Sequence, residues 1–312
     1  MKPIVSIGIV NCNRLHYLRS QVASLRETLD LDASRTQLII VDNASSEPDT
    51  QQWLDEIEAD SSFLSVTVIR RALRDPHNEF AAGLNTIADL AEADVIIPLQ
   101  GDSQFIRKFW LGDVLTLCER ADCGCVVIDA QRRATLTAAE KHMTLISVSH
   151  SQSAFEDRSR PPVAGAADVA YPRRILKRLR WSETNGAHEG GADSETAMLR
   201  FVETNAELAG MKCFVLASPA MLSIQTDARG TNARVRGDKR YGTYFRAPSS
   251  DLYYEIKCGF VTPSDHPGPV AAEDVIINHP SVGWTVALGP NGEWLKNPIR
   301  PETALSTDWV IV

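Results

Sequence analysis

The chain has 312 residues, with 32 Lys and Arg against 40 Asp and Glu, a formal charge of −8. At 44% apolar and 23% charged, it carries enough apolar surface to offset the entropy of ordering, which excludes disorder as its main state. The acid excess argues against a nucleic-acid partner, since such a footprint needs clustered cations facing phosphates. No run approaches the ~20 apolar residues of a bilayer span.

The N-terminal stretch 4–10 is an apolar run that passes directly into Asn11 and Asn13. It reads as a first strand and not as a signal peptide, because no cleavage site follows it. Residues 14–29 place Leu15, Leu18, Val22, Leu25 and Leu29 at helical spacing. Residues 37–41 form a second apolar run ending at Asp42 and Asn43. Pro48 marks the start of a helix containing Trp53, Leu54 and Ile57. A third strand follows at 64–69, a helix at 77–91, a fourth strand at 94–99, a helix at 105–119 and a strand at 124–130. Strand alternating with helix predicts parallel strands joined by right-handed crossovers. Ligands of such sheets bind at the carboxyl ends of the strands. That directs attention to Asn11 and Asn13, to Asp42 and Asn43, and to Gln100 and Asp102.

Beyond residue 130 the pattern weakens. Residues 143–148 read as a strand, 149–162 as a polar loop, and 172–180 as a short basic helix. A helix over 193–209 ends at Gly210, and a strand over 212–217 follows. Gly, Arg and Asn accumulate over 225–246, which predicts a long loop, and 275–277 and 284–288 are β-like. The six cysteines include Cys118, Cys123 and Cys125, spaced C-x4-C-x-C. That spacing is neither a zinc site nor a C-x-x-C redox pair, and it predicts reduced thiols in a cytoplasmic protein.

Several motifs are missing. There is no P-loop, no G-x-G-x-x-G after the first strand and no G-x-S-x-G elbow. His188-Glu189 does not continue into H-E-x-x-H, because position 192 is Ala.

Five segments in order resemble family 2 glycosyltransferases. Val5-Ser6-Ile7-Gly8-Ile9-Val10-Asn11-Cys12-Asn13-Arg14 is similar to the family's opening V-S-V-I-I-P-T-Y-N-R. Val41-Asp42-Asn43-Ala44-Ser45 is similar to V-D-[DN]-[GA]-S, and Asn78, Gly83 and Asn85 to its N…G…N pattern. Val95 to Asp102 resembles the strand that ends in D-x-D. Ala192-Asp193 with Leu199-Arg200 and Gly210-Met211-Lys212 resembles E-D-x-x-L-x-x-R and G-[YF]-[KR]. The resemblance spans about residues 4–217 and implies an α/β GT-A type fold. Such a fold has a Rossmann-like, mostly parallel sheet with helices on both faces. Here an irregular C-terminal extension over 218–312 would complete the acceptor side. It further implies an inverting, hexosyltransferase-type glycosyltransferase that uses a nucleotide-diphosphate sugar.

By the same resemblance, nucleotide-sugar binding falls on Val10, Asn11, Asn13, Asp42, Asn43, Asn78, Gln100, Gly101 and Asp102. Asp102 is the candidate ligand of a divalent metal, Mg2+ or Mn2+, which takes hard oxygen donors together with substrate phosphates. Helix capping is the competing role for Asp102, and an Asx-turn is the competing role for Asp42 and Asn43. Asp193 is the candidate general base, with Glu189 and Glu195 as competitors. Inversion needs one carboxylate to take the acceptor proton during in-line attack. The chain departs from the family pattern at Val10, Cys12, Gln100 and Ala192. Gln100 and Ala192 each replace a carboxylate, which keeps a non-catalytic nucleotide-sugar-binding relative as the alternative. A nucleotidylyltransferase is disfavoured, because Asn11-Cys12-Asn13-Arg14 is not a Gly-rich basic loop.

The basic run Arg173, Arg174, Lys177, Arg178 and Arg180 reads as a solvated face, with peripheral membrane or lipid-acceptor contact as its rival. Arg229, Arg234, Arg236, Lys239, Arg240 and Arg246 stud the 225–246 loop, where they could close over a diphosphate. His266 and His279 are unassigned. Trp181, Trp284, Trp294 and Trp309 are divided between sugar stacking and core packing. The acceptor is a glycan, a lipid-linked sugar or a small molecule.

Overall fold

The structure is a computed structural model. It describes residues 1–13, 15–75, 78–101, 103–105, 109–128, 143–148, 153–158, 163, 167–182, 194–216 and 220–223. It also describes the strand backbones at 243–247, 252–256, 276–279, 284–288 and 294–296. Asp102, Glu189, Asp193, His266, Trp309 and the loop cations from Arg229 to Arg240 lie outside these residues, as does the side chain of Glu195.

The apolar runs become β1 (Val5–Asn11), β2 (Thr36–Asp42), β3 (Ser65–Arg70) and β4 (Val95–Gln100). Between them lie α1 (Leu15–Leu29), α2 (Thr50–Glu58) and α3 (Glu79–Leu90), with a 3-10 helix at Asp30–Arg35. These four strands pair in parallel in the order β3-β2-β1-β4. The chain therefore winds outward from β1 to β3 and returns to the other side of β1. This places the topological switch point at the β1–β4 boundary, where open α/β sheets hold their ligands.

The sheet continues through β9 (Val169–Pro172), β6 (Cys123–Val127), β10 (Lys212–Leu216), β8 (Ser153–Asp157) and β7 (Met143–Ser147). Only β9 and β8 run against the rest, so the nine-stranded sheet is mostly parallel. Helices cover both faces, as two separate apolar clusters record. On one face Leu18 and Leu25 of α1 and Trp110 of α4 (Trp110–Cys118) pack over Ile7, Ile9 and Ile40. On the other, Leu84 and Ile87 of α3 pack over Val10, Ile39 and Ile96. Each such fully buried aliphatic side chain is worth about 1.5–3 kcal/mol.

Two glycines set how closely α3 sits on β1. A Cβ on Gly8 would fall 2.2 Å from Ile87 Cγ2, and one on Gly83 would fall 2.9 Å from Val10 Cγ2. The bulky partner of each contact comes from the opposite element, so helix and strand interlock at two points.

Several sequence expectations are corrected. The segment 149–162 is not all loop: β8 occupies its middle and pairs with β10 and β7. Phe105 does not begin a helix but ends β5 (Ser103–Phe105), which pairs with β11 (Met221–Ser223). The helix expected over 193–209 is two pieces, α6 (Ser194–Thr204) and α7 (Ala206–Ala209). Asn205 separates them, and its side chain accepts from Leu208 N as an N-cap. The loop expected over 225–246 ends in β12 (Thr243–Ala247), paired with β13 (Leu252–Ile256). Further strands are β14 (Ile276–His279), β15 (Trp284–Leu288) and β16 (Trp294–Lys296).

The basic run over 172–180 also differs from expectation. Pro172 closes β9, and only Arg173–Leu176 (α5) is helical. Its cations reach inward. Arg174 Nη1 donates to Cys118 O at 3.1 Å, and its Nη2 donates to Arg120 O at 2.6 Å and Cys123 O at 3.1 Å. Lys177 Nζ donates to Ala88 O at 2.6 Å. The carbonyls of Cys118, Arg120 and Ala88 lie at or near the C-terminal ends of α4 and α3, where a cation meets the negative end of the helix dipole, and that of Cys123 opens β6. Burial holds the Lys177 ammonium below its ordinary range. Arg178 pairs with Glu207, and Arg180 pairs with Asp89. Arg173 donates to Glu92 O, so all five cations are fastened to the fold, while Arg174, Lys177, Arg178 and Arg180 stay exposed: the run is a solvated face that is held in place. Trp181 resolves to core: it is 2% exposed and meets Tyr171 edge-on at 6.5 Å.

Candidate active site

The polar residues at the ends of β1 and β2 form one connected network. Asp42 is fully buried. Its Oδ1 accepts from Asn11 Nδ2 at 2.9 Å and from Ser45 Oγ at 2.5 Å, and its Oδ2 accepts from Ser45 N at 3.1 Å. Gln51 Nε2 approaches the same oxygen at 3.5 Å. A carboxylate accepts only, and here every neighbour donates.

The two strand-end loops are stitched to each other. Asn13 N donates to Ser45 Oγ at 2.8 Å, while Asn13 Oδ1 accepts from Ser46 N at 2.7 Å and Glu47 N at 3.1 Å. Glu47 Oε2 accepts from Leu15 N at 2.8 Å, so an anion from one loop caps the helix that opens the other. Asn13 and Ala44 both have φ 51°. Left-handed backbone at non-glycine residues persists only where surrounding contacts enforce it.

Asn43 is buried and fixed by its backbone N to Asn11 O at 2.9 Å and by Nδ2 to Glu79 O at 3.3 Å. This ties the β2 end to the start of α3. Asn78, just before α3, donates to Asp75 Oδ2 at 3.0 Å. Asn85 is structural: its amide forms two 2.9 Å bonds with the backbone of Trp181. Val10 turns its side chain under Gly83, which leaves only its backbone at the crevice. Gly101 brings the β4 end against β1, since a Cβ there would lie 3.1 Å from Val10 O and 3.6 Å from Asn11 Oδ1. The structure thus brings together Val10, Asn11, Asn13, Asp42, Asn43, Gln100 and Gly101 at the carboxyl ends of adjacent strands.

Ser45, which closes the second motif but has no role in the sequence reading, sits at the centre of the network. Three further residues escaped the sequence reading. Gln21 is fully buried on the apolar face of α1, and a polar residue among Leu18, Val22 and Leu25 is its signal. Arg74 chelates Glu79 at 3.0–3.3 Å and lies beside the Cys12 sulfur at the crevice. The Glu79 carboxylate pushes its guanidinium above an already high range. Asp168, 1% exposed with φ 63°, has no local signal.

The donor set for a metal is oxygen only. Among the described residues no group of three His, Cys, Asp or Glu converges. Gln100 is half-buried at the β4 end, and Asn11 Oδ1 is buried there without a hydrogen-bond partner among the described residues. These hard, neutral oxygens, with Asp102 adjacent in sequence, suit Mg2+ or Mn2+, which keep waters and phosphate oxygens as further ligands.

Comparison with known proteins agrees with this architecture. A sequence model described as glycosyl transferase family 2 matches residues 6–180. Residues 1–349 of TarS from S. aureus superpose with a TM-score of 0.51 at 14% identity, over 72% of this chain and 60% of that one. The mannosyltransferase PcManGT from Pyrobaculum calidifontis, solved with GDP-Man and Mn2+, superposes with a TM-score of 0.51 at 15% identity, over 76% of this chain and 61% of that one. Protein y4gI of Sinorhizobium fredii, itself uncharacterized, is 34% identical over 125 residues, which are 40% of this chain and 13% of that protein. The chain therefore spans a small fraction of its curated relative and about three-fifths of the solved ones. No helix among the described residues is long and apolar enough to cross a membrane.

Proposed function

The chain belongs to glycosyl transferase family 2, and on that premise we propose that it transfers a sugar from a nucleoside-diphosphate donor to an acceptor hydroxyl with inversion. The observation that carries this reading is the convergence of Asn11, Asn13, Asp42, Asn43 and Gln100 at the switch point of the sheet. A GT-A crevice in that position is where a nucleotide would sit. TarS has been solved with UDP-GlcNAc and PcManGT with GDP-Man, which makes UDP and GDP sugars the first donors to test.

In this mechanism the base and ribose lie over the stitched loops. Asp42 holds their floor by fixing Asn11 and Ser45, and Cys12 and Asn13 are half-buried at the surface of the crevice. The diphosphate points toward the β4 end. Gln100 and Asp102 would hold Mg2+ or Mn2+, which when bound offsets charge on the departing nucleoside diphosphate. Asp193, just before α6, takes the proton of the acceptor hydroxyl as that oxygen attacks the anomeric carbon from the side opposite the leaving group. Residues 1–217 form the donor-binding unit, and 218–312 complete the acceptor side.

The test is a panel of UDP and GDP sugars, with and without Mn2+, scored by melting and by release of nucleoside diphosphate. A donor at a hundred times its Kd adds roughly 2.7 kcal/mol of stability. Asp193→Asn is expected to cost on the order of 10^2 to 10^4 in turnover while donor binding survives. Full turnover by that variant moves the base to Glu189 or Glu195. Tight donor binding without turnover on any acceptor favours the non-catalytic alternative, which Gln100 and Ala192 recommend. No stabilisation by any nucleotide rejects the reading.

A further inference from the structure

Gln100 has both of its backbone polar groups held by buried side chains from two distant elements. Its N–H donates to Asp168 Oδ1 at 3.0 Å. Its C=O accepts from Gln21 Nε2 at 2.8 Å, and the same amide nitrogen donates to Ser103 Oγ at 2.6 Å. Gln21 comes from α1 and Asp168 from the lead-in to β9. We infer that Gln21 and Asp168 are positioning residues, a clamp that fixes the chain at Gln100 and Gly101 and so sets where the donor's diphosphate is received. This rests on the reading under Proposed function and adds to it two residues that no strand-end motif identifies.

Both residues are unfavourable choices for a core. Asp168 is a carboxylate with 1% exposure, in left-handed backbone at φ 63°. A buried charge and a strained dihedral each oppose folding. Gln21 is fully buried among leucines, and its Oε1 meets no donor among the described residues. An apolar residue would fill that place without an orphaned acceptor. The two meet on one residue, at the strand end that faces the crevice.

The surroundings explain why a clamp is needed there. Paired residues join β9 to β4 only at Val95 and Ile96. Past them, Asp168 N donates to Pro98 O at 2.8 Å, and its side chain then holds Gln100 on the side where β9 offers no paired residue, opposite Val10 of β1. On the other side, Gly101 presses against Val10 O and brings no side chain to anchor itself, and Ser103 beyond it is held by Gln21 as well. The clamp is separate from the Asp42 network, which holds the loops under the base and ribose. The two ends of the nucleotide are therefore governed by different residues.

That separation gives the test. Asp168→Gly keeps the left-handed backbone but removes the acceptor. Asp168→Asn keeps both an oxygen acceptor and a residue tolerant of φ > 0. Gln21→Met removes the donor from the helix side. Calorimetric titrations with UMP, UDP, GMP and GDP, in the presence of Mn2+, are run on the full chain. In Asp168→Gly and Gln21→Met, monophosphate affinity is expected to stay within about twofold of wild type. Diphosphate affinity is expected to fall about tenfold in Asp168→Gly, the worth of one hydrogen bond to a charged group, and about threefold to tenfold in Gln21→Met, where the lost bond is neutral. Asp168→Asn should restore most of it. Turnover of any active UDP or GDP sugar should fall about 10^2-fold in the impaired variants, the effect of misplacing a group by about 1 Å.

Equal losses of mono- and diphosphate affinity would mean general softening of the site and would overturn the clamp. So would unchanged diphosphate affinity, or an Asp168→Asn variant as impaired as Asp168→Gly. If Asp168→Gly does not fold, Gln21→Met and Asp168→Asn decide the matter. Wild-type protein that binds none of the four nucleotides rejects the donor-site reading and this inference together. Wild-type binding matched by every variant rejects this inference alone.

Discussion

Asp42→Ala tests whether the crevice floor is held by the network around it. The substitution removes both acceptor oxygens from a site with no solvent access. Three donors within 3.1 Å lose this acceptor: Asn11 Nδ2, which keeps only Ser45 Oγ at 3.3 Å, Ser45 N and Ser45 Oγ. Hydrogen bonds to a charged group contribute about 1.5–3 kcal/mol each, and these three share one acceptor, so they do not simply add. A total near 3 kcal/mol is the expected loss, the low end for stripping one partner from a buried charged cluster. At roughly 2–4 °C per kcal/mol for a domain of this order of size, melting should fall by about 6–12 °C. UDP and GDP affinity should fall at least tenfold, about 1.4 kcal/mol, because loop 43–47 loses the anchor that sets its shape. Asp42→Asn should be milder in both respects. Asn11 Oδ1 has no donor in the described structure, and a turned Asn11 amide can accept from the new NH2 group. Differential scanning calorimetry and isothermal titration on the three proteins check this. Unchanged melting in Asp42→Ala would refute the hydrogen-bond account. Lowered melting with full nucleotide affinity would place the nucleotide elsewhere.

Two further outcomes follow from packing and charge. Gly8→Ala puts a Cβ 2.2 Å from Ile87 Cγ2 and should cost about 1–3 kcal/mol by overpacking; adding Ile87→Ala should recover part of that loss, and strict additivity in the double variant would contradict the contact. At the β6–β10–β8 side, Arg120 holds Asp122 below the ordinary carboxylate range by hydrogen bonding, and Lys212 does the same for Glu156. A carboxylate with a lowered native pKa stabilises the fold above its unfolded value, near 4 for Asp and Glu. That stability is lost as pH falls through the native value. The gap between the melting curves of wild type and Lys212→Met should therefore hold steady above about pH 5 and narrow progressively as pH falls below about 4, and a gap that does not narrow on acidification would refute the assignment.

The half of the fold around β1 to β4 was legible because β1, β2 and β4 are mainly apolar runs buried on both faces, as at 5–10 and 38–41, while β3 alternates in character at a more exposed position. The crevice residues Asn11, Asp42, Asn43 and Gln100 were legible for the same reason, since polarity begins where such a strand ends. The rest failed for identifiable causes. Strand β8, Ser-Ala-Phe-Glu-Asp, is half polar and gets its place from pairing with β10 and β7. Strand β9 was hidden by Pro172, which suits a helix start as well as a strand end. The cations after it are exposed as expected, but nothing in their order reveals the carbonyls of Cys118 and Ala88 that tether them. Asp168 was invisible because its partner lies 68 residues away, on the backbone of Gln100.

The interlock of Gly8 with Ile87 and Gly83 with Val10 bears on how a mutational survey of this protein would read. Helix α3 begins beside the strand ends, and Glu79 O there receives Asn43 Nδ2. The same two notches that seat the helix also index its first turn against the floor of the crevice. A helix displaced by one added methyl would carry that turn with it. Positions deep in the sheet–helix seam would then score alongside residues that meet the ligand. Ranking variants by lost turnover alone would draw the site too large, inward along α3. Pairing each activity score with an abundance score separates the seam from the surface that the nucleotide meets.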